Sequence, residues 1–283
     1  MASLKDHQTV LLELLQVFDR VCKKHNIRYM LFAGSLLGAV RHCGFIPWDD
    51  DLDVVLLRED YNKLSNIRPE EWGDSYYFQY EFSNHWPMHF SKLRKNNTTC
   101  LERYHPKDNQ THQGIYMDIF PCDFASSNPI ISRIQYWASR VVVAKALSRR
   151  GYDTNSSLKK VFILLSKFCP INPFYNFALG SKNENSGVVH TFFGGTSKYS
   201  KGIFEKRWFT ELEVVDFEGF EVPISKHYDA LLTKLYGNYM IHPSDDEKKM
   251  KEHAILVDTE KNYTEYTHYL DDVEFDVLTK SIR

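Results

Sequence analysis

LFAGSLLGAVRHCGFIPWDDDLDVVLL, from Leu31 to Leu57, is the stretch on which the fold turns. It reads as a strand end, a Gly34-Ser35 turn, a short helix through Leu37 to Arg41, a loop, and an apolar strand from Leu52 to Leu57. Asp49, Asp50, Asp51 and Asp53 crowd the entry to that strand. Carboxylates this dense repel one another unless a cation or a strong field compensates them. Asp51 and Asp53 point to one face, because side-chain direction repeats every two residues in a strand. A divalent cation at the strand's start resolves the repulsion, and a cation beside a glycine-serine turn points to phosphate chemistry.

Upstream, Ser3 and Asp6 form a capping box for a helix from about Leu4 to His25. Val10, Leu11, Leu14, Phe18, Val21 and Cys22 recur at helical spacing along it. Ile27 to Phe32 is expected as a strand. Downstream come a helix from Arg58 to Ile67 and strands over Tyr76–Phe82, His89–Leu93 and Thr98–Glu102. GIYMDIFP, Gly114 to Pro121, reads as a further strand with Tyr116, Asp118 and Phe120 on one side. An acid inside that apolar run can join Asp51 and Asp53 if the two strands are neighbours.

Helices follow near Ile130–Arg149 and Leu158–Leu179, then a brief apolar element at Val188–Phe193. Leu212–Phe217 and Phe220–Pro223 flank Glu218-Gly219 as a hairpin, with Pro223 at an edge or strand end. His227–Tyr236 reads as a helix ending at Gly237, and Asp245–Leu256 as another. The expected class is α+β, a mixed sheet flanked by helices with a mostly helical insertion and C-terminal region. The organisation expected is a catalytic core over residues 1–125, a helical insertion over 126–200, and a region over 201–283 that completes the core and cleft.

The chain has 283 residues, enough for a sizeable core. Its formal charge of −2 gives no global attraction to nucleic acid, and no nucleic-acid motif stands out. Pro129 to Phe168 differs: Arg133, Arg140, Lys145, Arg149, Arg150, Lys159, Lys160 and Lys167 face only Asp153, eight minus one, or +7. Interleaved with Ile134, Trp137, Phe162 and Leu165, this block offers a surface for an anionic bilayer or the wet side of a helical layer. Five scattered cysteines without a CxxC pair argue against disulfides or a thiolate zinc site. MASLKDHQTV lacks the apolar core of a secretory signal. The expectation is a cytoplasmic protein that can reach the membrane's inner face.

GSLLGAVRHCGFIPWDDDLDVVL, Gly34 to Leu56, resembles the signature of the LicD/fukutin-related transferases. The resemblance continues at GIYMDIFP and returns in FEGFEVPISKHYDALLTKLYGNYMIHP, Phe217 to Pro243, with His253 as a further point. It implies a nucleotidyltransferase-like fold, metal ligation by Asp51 and Asp53, phosphate contact by Ser35, and Asp118 completing the site. It implies transfer of phosphocholine from CDP-choline to a sugar of a teichoic acid or lipopolysaccharide precursor. CDP-linked sugar-alcohol phosphates are the family's other donors. The usual run has isoleucine where this chain has Leu52. It often has lysine where this chain has Cys43, a departure that removes a charge near the donor.

These residue types suit in-line attack by a sugar hydroxyl on phosphorus. Three carboxylates can hold one or two magnesium or manganese ions through hard oxygen ligands. Gly34 allows close backbone approach, while Ser35 offers a hydroxyl and an amide to phosphate. Asp118 is expected either as general base or as a third ligand. One of Asp49 and Asp50 is expected at metal or a substrate hydroxyl, the other in water. Arg41 and His42 are candidates for donor phosphate or for bracing the loop. Trp48 is a candidate for stacking on a base or sugar, or for packing. The aromatics from Tyr76 to Trp86 supply either a cage for quaternary ammonium or ordinary packing. Polyol-phosphate transfer from CDP-ribitol or CDP-glycerol, nucleotidyl transfer from CTP, and an inactive regulatory scaffold are the competing functions.

Overall fold

The capping box at Ser3 starts α1, Leu4–Lys24, where the sequence places it. Ser3 Oγ accepts from the Asp6 N–H and Asp6 Oδ2 accepts from the Ser3 N–H. All six residues of the expected apolar stripe are buried. The computed structural model describes residues 2–83, 85–102, 111–150, 156–194, 198–244 and 254–266.

The elements that follow are β1, Met30–Leu31; α2, Ala33–His42; β2, Asp53–Leu57; α3, Arg58–Lys63; and α4, Pro69–Trp72. Then come β3, Tyr76–Gln79; β4, Ser91–Lys95; β5, Thr99–Glu102; and β6, Tyr116–Phe124. Next come α5, Pro129–Arg149; α6, Ser157–Ser166; α7, Ile171–Leu179; β7, Val188–His190; and β8, Ile203–Glu205. The chain continues with β9, Leu212–Phe217; β10, Phe220–Ser225; α8, Tyr228–Tyr236; and β11, Ala254–Asp258.

The central sheet runs β1–β2–β6–β4–β3, with β7 and β8 added beyond β6. β2 and β6 are parallel, and the remaining pairs are antiparallel. Pro121 sits in the middle of β6 without breaking it. On one side β6 pairs with β4 as far as Ile119 and with β7 only from Asp123. The proline falls in that gap, where its missing N–H costs no ladder bond on that side. Leu31, Val54, Leu93, Met117 and Ile119 are fully buried and form the sheet's part of the core with the α1 stripe. A second small core, Ala138, Val142, Ala178 and Phe193, binds α5 to α7. The fold is thus α+β, with helices flanking a central sheet and a helical insertion. Among the described residues no helix is long and apolar enough to cross a membrane.

Several element boundaries differ from the sequence reading. The strand expected over Ile27–Phe32 pairs only at Met30 and Leu31, since Asn26 turns the chain with φ 52°. Gly34 and Ser35 lie inside the first turn of α2 rather than in a separate turn before it. The single helix read from Leu158 to Leu179 is two, α6 and α7, divided at Pro170, which cannot continue a helical ladder. The end of the helix read over Asp245–Leu256 belongs to β11, antiparallel to β5. The earlier part of that segment, with His253, lies outside the described residues. Around Glu218 (φ 54°) and Gly219 (φ 78°) the expected hairpin forms a two-residue turn, and Pro223 is accommodated because its sheet has only two strands.

Candidate active site

Three strands lay a row of charged side chains across the sheet. Asp53 on β2 is the register partner of Asp118 on β6, and Asp118 is the partner of Lys92 on β4. Register partners on neighbouring strands project from the same face. Lys92 Nζ lies 3.1 Å from Asp118 Oδ1 and 3.0 Å from Glu102 Oε1, and Lys92 is only 2% exposed. Its ammonium also sits 3.1 Å from the Tyr116 ring centroid and 5.0 Å from that of Trp86. Arg150 closes the far side of Glu102 at 2.6 Å.

The other carboxylates approach from the loop before β2. A Cβ placed on Gly34 would stand 2.9 Å from Asp49 Oδ2 and 3.9 Å from Asp51 Oδ1. Glycine is therefore what lets those acids come down onto the start of α2. Ser35 Oγ accepts from the Asp53 N–H at 2.8 Å, which ties the helix start to the strand start. The first N–H groups of α2 have no acceptor within the helix, so its N-terminus offers donors to an anion.

Burial holds the Asp53 carboxyl well above the usual carboxylate range. The negative charges of Asp51, Asp118 and Asp49 push it further, and Lys92 opposes them. Burial likewise raises Asp118, against the pull of Lys92. Asp118 Oδ1 makes no hydrogen bond, although the Lys92 ammonium lies within ion-pair distance. Among the described residues no group of three or more His, Cys, Asp or Glu side chains has the arrangement of a ready-made metal site. The donors nonetheless fit a hard cation in type and charge: Asp51, Asp53 and Asp118 offer oxygen only, and at Asp53 the repulsion from the neighbouring acids exceeds what Lys92 offsets.

The remaining candidates separate into two groups. Arg41 donates from Nε to His42 at 3.0 Å and from Nη1 to the Tyr239 carbonyl at 2.8 Å, which braces α2 against the turn after α8. His42, Trp48 and His242 form a ring cluster with centroids 5.8 to 6.2 Å apart. Asp50 turns away from Asp53: its Oδ2 accepts from the Ala254 N–H at 2.9 Å, pinning β11. Asp50 and Trp48 also line a cavity of about 260 Å³ between the start of α1 and β11.

The aromatics considered for a quaternary-ammonium cage have partners within the fold, while Tyr77 and Phe82 stay 42% exposed. Phe78 stacks on Trp72 at 4.6 Å, Tyr77 on His112 at 5.1 Å, and the Tyr80 hydroxyl donates to the Ile67 carbonyl. Trp86 packs over the chain's own cations Lys92 and Arg150.

Sequence reasoning missed Lys92 and Glu102, since a lysine in a short strand ordinarily faces water. It also missed the extent to which Tyr236 feels the acids: although the residue is 42% exposed, desolvation of its hydroxyl, then Asp53, Asp51 and Asp49, drive its phenol upward. Glu218 at the hairpin tip accepts from the Phe45 N–H at 3.2 Å and so holds the loop that delivers the aspartates.

The mixed sheet flanked by helices, with opposed aspartates on its parallel strand pair, matches a nucleotidyltransferase-like architecture. Residues 26–140 match the LicD/FKTN/FKRP nucleotidyltransferase domain. Lipopolysaccharide cholinephosphotransferase LicD of Haemophilus influenzae is 27% identical over 262 residues, covering 87% of this chain and 95% of that protein. Human ribitol 5-phosphate transferase FKRP is 31% identical over 126 residues, which are 37% of this chain and 25% of FKRP. Residues 26–140 thus carry a LicD-type nucleotidyltransferase domain, and most of the chain is similar to the LicD cholinephosphotransferase.

Proposed function

We propose that this protein transfers phosphocholine from CDP-choline to a sugar hydroxyl of a teichoic acid or other cell-surface glycan precursor, releasing CMP. The observation that carries the choice of donor is the likeness to the cholinephosphotransferase, which runs over 95% of that protein. The likeness to the ribitol 5-phosphate transferase is confined to 126 residues.

In the reaction the acceptor oxygen forms a bond to the phosphorus bearing choline. The bridging P–O bond breaks, and CMP leaves with its electron pair. The N–H groups of Gly34 and Ser35, at the start of α2, donate to phosphate oxygens of the donor. Asp118 lies on the same face as Asp53 and serves either to take the acceptor hydroxyl's proton or to hold a cation. Lys92 fixes the Asp118 carboxylate from behind and limits the charge that accumulates there. Asp51, Asp53 and Asp118 would hold magnesium or manganese, which when bound neutralises the diphosphate and the departing CMP. Arg41 acts by keeping α2 seated, with His42 and Trp48 lining the same end. The reaction belongs at the inner face of the cell membrane, where a CDP-linked donor meets a lipid-linked glycan.

The test is incubation with CDP-choline, CDP-ribitol, CDP-glycerol and CTP in the presence of an extracted glycan precursor. Mass spectrometry should find a phosphocholine adduct and free CMP. A polyol-phosphate adduct overturns the donor assignment, and pyrophosphate from CTP points to nucleotidyl transfer. A protein that binds no donor and no manganese is a scaffold.

A further inference from the structure

Helix α6 turns its apolar side outward. Leu158, Val161, Leu164 and Leu165 are 85%, 54%, 54% and 59% exposed, and Phe168 just beyond the helix is 83% exposed. Of the ten residues in α6 only Ser166 is buried. A helix packed on a protein ordinarily does the reverse and hides its apolar stripe. At roughly 100° per residue, Leu158, Val161, Phe162, Leu164 and Leu165 cover an arc of about 160°. Lys159 and Lys160 fall just beyond its two edges. The result is an amphipathic helix whose apolar side is not covered by any of the described residues and whose border is cationic.

We infer that α6 and Phe168 form a peripheral anchor that seats this protein in the headgroup–acyl boundary of an anionic bilayer. Charge selects that occupant. From Ser156 to Phe168, the helix and its end, the chain carries Lys159, Lys160 and Lys167 and no acid, a charge of +3. A second copy docked through the same face would set like charges together, whereas an anionic lipid surface complements them. The geometry agrees. The apolar side chains ring the outer half of a protruding helix instead of lining a groove. Such a helix suits a non-directional apolar medium, with the lysine stems reaching back to headgroups. The inference goes beyond the assignment of the transferred group, since it holds for a phosphocholine or a polyol-phosphate transferase alike.

Flotation of the full chain with vesicles tests it, with neither donor nor acceptor present, so that failure here is distinct from failure of the transferase reading. The vesicles are phosphatidylcholine alone or with about 30% phosphatidylglycerol, at ~150 mM salt to suppress loose attraction. The wild type should float with the anionic vesicles and bind the neutral ones at least ~10-fold more weakly. Leu158→Ser/Leu165→Ser/Phe168→Ser should lose at least ~10-fold in anionic binding, and so should Lys159→Glu/Lys160→Glu. Light scattering and circular dichroism on each variant establish its assembly and helix content. Wild-type flotation by either folded variant overturns the anchor. So does a dimer that the serine variant splits into monomers, which would assign the face to a second copy.

Discussion

Asp53 and Asp118 occupy partnered positions on two parallel strands, so their carboxylates share one face at the middle of the sheet. That arrangement carries a cost in the absence of a cation. Asp53 titrates well above the ordinary carboxylate because burial and its neighbours disfavour the charge. A group with a raised folded-state pKa favours the native state below its unfolded value near 3.8 and loses that contribution as pH climbs towards the folded value. Asp53→Asn should therefore melt higher than wild type at pH 7 and gain nothing at pH 3. The same change should lower phosphocholine transfer by ~10³-fold or more. Millimolar manganese should raise the melting temperature of wild type and leave that of the variant where it was. A variant less stable than wild type at pH 7 would contradict this reading of the site.

Lys92 is the counterweight to that charge. Removing one partner of a buried ion pair leaves the other uncompensated, at a cost of about 3–5 kcal/mol. Lys92→Met leaves Asp118 without its cation and Glu102 with Arg150. Urea unfolding should show a loss of about 3 kcal/mol. Adding Asp118→Asn should return part of it, since the orphaned charge is then gone. Strict additivity of the two changes would mean that Lys92 contributes by packing against Tyr116 and Trp86, not by its charge.

How much of this could be read in advance depends on the distance between partners along the chain. The Ser3 cap and the α1 stripe are local patterns with a 3.6-residue period, and both are legible. Convergence of Asp53 and Asp118 followed from two-residue alternation plus one assumption, that their strands are neighbours. The role of Asp50 was not legible, because its partner Ala254 is set by the return of β11 to β5. Lys92 was hidden for a different reason: nothing local marks a strand lysine as buried until the rings of Trp86 and Tyr116 close over it. The division of α6 from α7 was available in Pro170, whose meaning was overridden by the apolar run on either side.

Gly34→Ala separates folding from function. Alanine favours a helix over glycine by about 1 kcal/mol, so α2 itself should tolerate the change. The added Cβ would meet Asp49 Oδ2 at 2.9 Å and force that carboxylate off the start of the helix. The variant should melt at or above the wild-type temperature. Its KM for CDP-choline should rise by about tenfold, since the acids and the donor phosphates share this space. An unchanged KM would remove Gly34 from the binding surface.

Away from the site, Arg58 spans Asp123 and Glu81. It donates to Asp123 at 2.6 Å and to Glu81 Oε1 at 2.9 Å, in a buried cluster with one carboxylate more than its cations. Burial raises Glu81 to about 7, with Arg58 opposing and Asp123 adding to the rise. The native state therefore prefers protonated Glu81. The stability this brings is complete below the unfolded value of 4.5 and drains away as pH rises towards 7. Glu81→Gln keeps an acceptor for Arg58 and removes the charge. It should leave stability unchanged near pH 4 and raise it by about 3 kcal/mol at pH 8. Urea midpoints of the two proteins across that range measure the difference directly. A gap that narrows with rising pH would show that Arg58 needs both carboxylates ionised.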